Sequence, residues 1–194
     1  MDNKYKLIVD YFGKERFKFE EPLKDYTALG VGGPAKLFFI AFTQAELIKI
    51  IKLCRQLKLR FFIFGTGSKI MFSDNGFDGL VIKNRTKNIH VVSVKGIVSK
   101  IGIGVEEALI EVESGVSLNK LVEFLDNNSF SAMEFKNITG TVGGNLFVNG
   151  FLQTRTKSIK VLDSDSEKEE ISYLELSLKK HIILSAVFSA KSKY

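Results

Sequence analysis

Two glycine-rich segments constrain this chain more than any other feature of its sequence. The first, Gly65-Thr66-Gly67-Ser68-Lys69, follows an apolar strand-like run, and the second is Gly140-Thr141-Val142-Gly143-Gly144. Glycine adopts positive φ and lets backbone N–H groups approach an anion without a Cβ in the way, and the Ser68 hydroxyl adds a donor. Each segment therefore suits either a tight turn or a phosphate-binding loop.

Neither segment carries a common nucleotide-binding fingerprint. The chain has no G-x-x-x-x-G-K-[ST] sequence, and no strand followed by G-x-G-x-x-G, a helix and a later acidic residue. The turn and phosphate interpretations therefore both stay open for each loop taken alone. Two separate donor loops would suit one extended pyrophosphate held from two sides.

Composition is typical of a globular protein. The 194 residues are 45% hydrophobic and include 17 Phe, enough to bury a core. The apolar stretches are far shorter than the ~20 residues of a membrane helix, and the charged first ten residues contain no apolar targeting segment. We therefore expect a cytoplasmic protein without a membrane span. The lone Cys54 lies on the apolar face of a predicted helix and is expected in the core, and two histidines, His90 and His181, predict no metal site.

The net charge of +6 raises the question of a nucleic-acid partner. The 28 Lys and Arg residues are scattered, without a dense basic run or a readout motif, so we expect no nucleic-acid binding. A positive balance also suits a protein that binds anionic cofactors and nucleotides.

The mixture of charged and aromatic residues over 1–25 predicts an N-terminal arm or helix that packs on the body, and a first lobe follows over 26–86. A capping box at Thr43-Gln44-Ala45-Glu46 begins a helix whose apolar residues recur at i, i+3, i+4 and i+7. Strand-like runs at 36–40 and 60–64 flank it. The resulting β-α-β unit leads into the first glycine loop, at the end of a strand where α/β proteins often bind ligands.

A second lobe over residues 87–194 follows a polar connection at 84–88. Ser117 is predicted to cap a helix with an apolar face, and residues 163–170 form an acidic, solvated stretch. The strand-like segments of this lobe are residues 90–94, 99–103, 108–113, 157–162 and 181–188.

Four motifs in order resemble the UDP-N-acetylenolpyruvoylglucosamine reductase (MurB) family of flavoenzymes in peptidoglycan synthesis. They are residues 26–35, 64–68, 73–82, and 140–144 with Asn149 after it. The resemblance runs from about residue 26 to 188. It implies an α+β, two-lobed FAD-binding module of the vanillyl-alcohol-oxidase/MurB type, with the dinucleotide between the lobes. It also implies a third, C-terminal lobe for the sugar nucleotide, and we expect the chain to stop before it.

The resemblance also assigns cofactor-binding residues. The implied FAD contacts are Gly65, Thr66, Gly67, Ser68, Lys69, Ile138, Gly140, Thr141, Gly143 and Gly144. Lys69 replaces the Asn usual in the family, and its charge either approaches the pyrophosphate or points to water. Thr139 replaces the usual Pro, which loosens that turn. Residues 26–33 match the segment that enters the flavin site of the family, or else form a strand start with a Gly-Gly turn.

Catalytic residues are the poorest match to the family. In the reaction that the resemblance implies, NADPH reduces the flavin, which passes hydride to UDP-N-acetylenolpyruvoylglucosamine to give UDP-N-acetylmuramate. The family's Tyr-Arg-x-Ser signature falls at Tyr173-Leu174-Glu175-Leu176, or with a one-residue slip it ends at Ser177, and no arginine is present at that place. The family's catalytic serine and glutamate belong to the C-terminal lobe. The segment Asn149-Gly150-Phe151-Leu152 also departs from the family's Asn-Ala-Gly-Ala. We therefore assign no catalytic residue.

The leading interpretation is a truncated or degenerate FAD-dependent reductase. One alternative is a non-catalytic FAD-binding module, or one part of a split enzyme with a separate C-terminal partner chain. Another is a basic nucleic-acid or protein-interaction module that keeps the fold without flavin. A visible spectrum separates this last alternative from the others.

Overall fold

The computed structural model describes residues 3–99 and 102–193. Its contacts divide the chain into two compact units, the first ending at Thr86 and the second beginning at Lys87. The division falls within residues 84–88, the polar connection where the sequence places a lobe boundary. Each unit combines a sheet with helices, so the predicted α+β class is confirmed. Within the described ranges, no helix is long and apolar enough to cross a membrane.

Within residues 3–86, the first unit contains two α-helices and a four-stranded sheet. Its elements are α1 (Asn3–Phe12), β1 (Phe17–Pro22), β2 (Pro34–Ala41), α2 (Gln44–Gln56), β3 (Phe61–Phe64) and β4 (Phe77–Asn84). The strand order is β1-β2-β4-β3, with β1 antiparallel to β2, and with β2 and β3 both parallel to β4. The predicted β-α-β unit is therefore β2-α2-β3, and β3 leads directly into residues 65–69.

Local signals determine where α2 begins and which face it buries. The Thr43 hydroxyl accepts the Glu46 N–H, and the Glu46 carboxylate accepts the Thr43 N–H, which completes the predicted capping box. The fully buried face consists of Leu47, Ile50, Ile51 and Cys54. Burial raises the pKa of the Cys54 thiol to about 12, as expected for a core cysteine.

The N-terminal 25 residues contain a strand that the sequence does not predict. β1 forms the edge of the first sheet, in register with β2 from Phe17 opposite Phe39 to Pro22 opposite Pro34. Phe17 is buried, whereas most of the other β1 residues are exposed. An edge strand with one buried residue shows no alternating apolar pattern, which is why the segment reads as an arm.

The described residues of the second unit form a five-stranded sheet and three α-helices. Its elements are β5 (Ile89–Ser99), β6 (Gly102–Glu113), α3 (Leu118–Asn127), α4 (Val142–Leu146), α5 (Gly150–Arg155), β7 (Thr156–Leu162), β8 (Lys168–Ile171) and β9 (Ile182–Lys191). The strand order is β5-β6-β9-β7-β8, and every pairing is antiparallel. Ser117 caps α3 by accepting the Lys120 N–H. Apolar residues of β6, such as Ile110 and Val112, share a core with α3.

Two strand predictions in the second unit need correction. The strand expected at 99–103 covers parts of two strands, since Ser99 ends β5 and Gly102 begins β6; residues 100 and 101 lie outside the described ranges. The gap expected before the strand at 108–113 is part of β6, which is continuous to Glu113 and pairs with β5 up to Val112. Gly104 and two adjacent glutamates interrupt the apolar pattern there, so a single strand looks like two. The acidic stretch at 163–170 contains the start of β8, another exposed edge strand without an apolar face.

Candidate functional site

The first glycine loop, residues 65–69, presents a row of backbone donors. It begins where β3 ends, directly after the buried Phe64. In the described part of the chain, no acceptor receives the backbone N–H groups of Gly65, Thr66, Gly67 or Ser68. The Thr66 and Ser68 hydroxyl oxygens lie 3.1 Å apart. The loop therefore offers four amides and two hydroxyls to an anion.

Gly67 joins this loop to the segment around Tyr26. Its φ of +79° is in the left-handed region, and a Cβ added to it would lie 1.8 Å from the Tyr26 carbonyl oxygen. The Gly67 carbonyl accepts the Ala28 N–H at 3.2 Å. Only glycine fits this position, because both its conformation and the adjacent backbone exclude a side chain.

A third motif packs against the same segment. Gly33 donates its N–H to the Ser73 carbonyl at 2.9 Å, and a Cβ on Gly33 would lie 2.1 Å from the Asp74 carbonyl oxygen. The motifs at 26–33, 65–69 and 73–76 are thus brought together in the first unit by close backbone contacts. Their glycines are explained by this packing as well as by any ligand.

The second glycine loop divides into two parts with different roles. The amides of Val142 and Gly143 donate to the carbonyls of Val116 and Ser114, at 2.8 and 2.9 Å. The Gly144 amide donates to the hydroxyl oxygen of Thr141, the residue that caps α4. These three amides hold the loop in place. The predicted contacts of Gly143 and Gly144 with a cofactor stay predictions, and they would have to use groups other than these amides.

The preceding residues supply the donors of this second loop. No described acceptor receives the N–H groups of Thr139, Gly140 or Thr141. Gly140 has a φ of +102°, which favours glycine. Ile138, also assigned as a cofactor contact, is partly buried against the core of the second unit. The available amides of the second loop are therefore those of 139–141.

Asn145 shapes this donor segment and is absent from the sequence-based assignment. Its side chain is fully buried, and its Nδ2 donates to the carbonyl oxygens of Thr139 and Thr141, both at 2.9 Å. These bonds fix the two carbonyls that flank Gly140 and so hold the donor segment in its conformation. A polar residue directly after a Gly-Gly pair is the one sequence signal that points to this role.

The position to which the resemblance assigns the signature arginine carries an exposed apolar side chain. Leu174 lies in a 3₁₀ turn, Tyr173–Glu175, and 80% of it is exposed. Arg155, the only arginine of the sequence after Arg85, is on α5 and pairs with Glu134 at 2.9 Å. The segment beginning at Asn149, which departs from the family pattern, forms the start of α5. The sequence of the second unit thus contains a single guanidinium, and it is paired with Glu134.

Comparison with known proteins identifies the family. Residues 35–163 match a family described as "FAD binding domain". The chain is 31% identical, over 183 residues, to a UDP-N-acetylenolpyruvoylglucosamine reductase of Alkaliphilus metalliredigens (strain QYMF), covering 91% of this chain and 56% of the relative. It is 27% identical to the enzyme of that name from Clostridium perfringens (strain 13 / Type A), covering 90% and 55%. The chain therefore spans about half the length of these curated relatives.

Solved structures show the same fold. The crystal structure of UDP-N-acetylenolpyruvylglucosamine reductase (MurB) from Thermus caldophilus matches with a TM-score of 0.63 and 25% identity, over 89% of this chain and 62% of that one. The 4-ethylphenol oxidase from Gulosibacter chungangensis matches with a TM-score of 0.66 at 13% identity, over 99% and 43%. The second likeness concerns the fold alone.

The chemistry of the two loops fits the cofactor that the family indicates. FAD carries a pyrophosphate, which needs hydrogen-bond donors without side chains in the way. The loops at 65–68 and 139–141 present backbone amides of this kind. The family match covers well over half of the sequence. The chain belongs to the FAD binding domain family, resembles MurB over about nine-tenths of its length, and has FAD as its indicated cofactor.

Proposed function

We propose that the amides of 65–68 and 139–141 bind the phosphates of FAD, and that the chain is the flavin-binding part of a UDP-N-acetylenolpyruvoylglucosamine reductase. The observation that carries the proposal is that each glycine loop is tied to the backbone beside it and still presents amides that have no acceptor among the described residues. An amide needs a partner, and a bound oxyanion provides one for several amides at once.

The reaction follows from the names of the relatives and from the family resemblance. NADPH would be the reductant and UDP-N-acetylenolpyruvoylglucosamine the acceptor. FAD, when bound, supplies a carrier for the electron pair that moves between them. The role of this chain's own residues is to hold the cofactor's phosphates and to fix its orientation.

Leu174 argues against rapid turnover by this chain alone. A leucine cannot polarise a substrate carboxylate or stabilise the negative charge that develops on it, a contribution typically worth several kcal/mol. Without this stabilisation, the rate is expected to be lower by roughly a thousandfold or more. This observation favours a second candidate function, a flavin-binding module that is inactive alone or acts with a partner chain.

The first experiment measures flavin content. The purified protein should show a flavin absorbance spectrum, either as isolated or after addition of FAD, and denaturation should release FAD rather than FMN. A pyrophosphate suits two donor loops, whereas FMN has a single phosphate. A colourless protein that ignores added FAD, or one that releases only FMN, would contradict the proposal.

The second experiment separates the two candidates. NADPH consumption is measured with and without UDP-N-acetylenolpyruvoylglucosamine, for the natural chain and for Leu174→Arg. We expect little substrate-dependent oxidation by the natural chain. Turnover of roughly one per second or more would show that another residue performs the catalysis. Activity that appears only in Leu174→Arg would identify a degenerate reductase, and inactivity of both would support the binding module.

A further inference from the structure

A half-buried lysine lies beside the first glycine loop. Lys83, on β4, is in register with Phe64, the last residue of β3, and Gly65 follows Phe64 directly. The Lys83 ammonium lies 4.7 Å from the centre of the Tyr26 ring and 5.6 Å from that of Phe64. The cation is thus held over two aromatic rings at the point where the loop begins.

No carboxylate neutralises Lys83 within the ranges that the structure describes. Two other lysines of the first unit have one: Lys18 lies 2.6 Å from Glu21, and Lys36 lies 2.9 Å from Asp78. Burial lowers the pKa of Lys83, and the positive charge of Arg85 lowers it further. An aromatic ring attracts a cation but carries no net negative charge to neutralise it. The charge of Lys83 is therefore uncompensated in a partly desolvated position.

Tyr26 connects this lysine to the donor loop. Its ring lies under the Lys83 ammonium, and its carbonyl oxygen occupies the space beside Gly67 where a side chain would otherwise lie. The Tyr26 ring is itself stacked on the buried Phe38, with ring centres 4.5 Å apart. The lysine and the loop therefore contact the same residue.

Lys69, the cation that the sequence suggests for this role, is in a different environment. It is exposed to solvent and already interacts with another group. An exposed lysine gains little from an anion in water, whereas a half-buried one gains more because solvent screens it less.

We propose that Lys83 supplies the positive charge for the FAD phosphates held by residues 65–68. The assignment rests on the proposed function, in which this loop binds those phosphates. Lys83 would then act as a point charge beside amides that supply the directional hydrogen bonds.

Protection from acylation tests the assignment on the natural chain. An N-hydroxysuccinimide acetate acylates lysines, and mass spectrometry reports the extent at each one, with saturating FAD, ADP, riboflavin or no ligand. FAD and ADP, which both carry a pyrophosphate, should reduce acetylation of Lys83 at least about fivefold, and riboflavin should not. The exposed Lys49 on α2 is the internal control and should be acetylated equally in every sample. Equal labelling of Lys83 with and without FAD overturns the assignment.

Substitution gives an independent measurement. Lys83→Met should weaken FAD binding at least about tenfold and reduce its salt dependence, whereas Lys83→Arg should retain most of the affinity. Lys49→Met removes the same charge from an exposed position and should bind FAD like the natural chain. A larger loss in Lys69→Met than in Lys83→Met would overturn the assignment in favour of Lys69.

The outcomes separate this inference from the proposed function. Failure of the natural chain to bind FAD removes both. FAD binding without protection of Lys83, or with unchanged affinity in a folded Lys83→Met, removes the lysine assignment alone. Circular dichroism checks the fold of each variant, and if Lys83→Met does not fold, the protection experiment on the natural chain decides.

Discussion

Replacing Gly67 with alanine tests whether the first donor loop depends on its close approach to Tyr26. The φ of +79° places Gly67 in the left-handed region, where a Cβ costs about 1 to 2 kcal/mol. The added Cβ would also lie 1.8 Å from the Tyr26 carbonyl oxygen, so the backbone must move. Overpacking of this kind costs about 1 to 3 kcal/mol. We therefore expect the free energy of opening the first unit to fall by about 2 to 5 kcal/mol.

Gly30→Ala is the matched control, because it shares the conformation but not the contact. Gly30 has a φ of +65°, and nothing lies within 4 Å of a Cβ built on it. We expect Gly30→Ala to lower the free energy of opening only by the conformational cost, about 1 to 2 kcal/mol.

FAD binding should also differ between the two variants. Displacement of the loop should weaken the binding of FAD to Gly67→Ala at least tenfold, about 1.4 kcal/mol.

Hydrogen exchange of the amides in β2 and β4 measures this difference. Exchange reports the opening free energy of the first unit separately, even if the two units unfold in different transitions. FAD titration of both variants gives the binding effect. Equal protection in Gly67→Ala and Gly30→Ala, or equal FAD affinity, would show that the contact with Tyr26 does not constrain the loop.

Three further predictions concern the second loop, acid stability and the thiol. Gly143→Ala should destabilise the second unit more than Gly144→Ala. The Cβ added at Gly143 would lie 2.9 Å from the Cβ of Ser114, whereas the Cβ added at Gly144 would lie 3.4 Å from the Thr141 hydroxyl oxygen. Thermal denaturation measures the difference in stability. Burial raises the pKa of Glu46, but the hydrogen bond and charge of Arg16, together with the backbone N–H groups of Phe42 and Thr43, outweigh burial and lower the pKa below 4.5. The stabilisation from Glu46 is therefore present above that value and is lost as the pH falls through the lower folded pKa. Denaturation of Glu46→Gln should accordingly change less between about pH 6 and about pH 3 than that of the natural chain. The Cys54 thiol, with its pKa of about 12, should not react with a disulfide reagent at about pH 8 until the chain unfolds, and rapid reaction of the folded protein would contradict its burial.

Elements set by local signals are the ones that the sequence predicts. The capping box at Thr43 and the cap at Ser117 each involve residues three apart, so both helices begin where expected. The strands β1 and β8 are at sheet edges with mostly exposed residues, so their existence depends on a partner strand rather than on their own pattern. Pairing with a partner strand therefore explains the strands that the sequence does not reveal.

The same distinction applies to the candidate site. The motifs identify both loops, but the sequence treats all residues of 140–144 alike. The structure distinguishes residues 139–141 from 142–143, because the amides of Val142 and Gly143 donate to carbonyls of the segment before α3. That segment lies more than twenty residues earlier in the chain, and no local pattern relates the two.

Lys83 cannot be selected from the sequence, because the reasons for assigning it a role are all contacts with residues distant in the chain. In the sequence it is one of many lysines, at the end of an apolar run and outside any motif. Its register with Phe64, its position over Tyr26 and the lack of a described carboxylate partner arise only when β3 and β4 pair. Sequence motifs locate backbone donors well, since glycine patterns are local. A charge that complements those donors can come from any strand that pairs beside the loop, and it must be found from the fold.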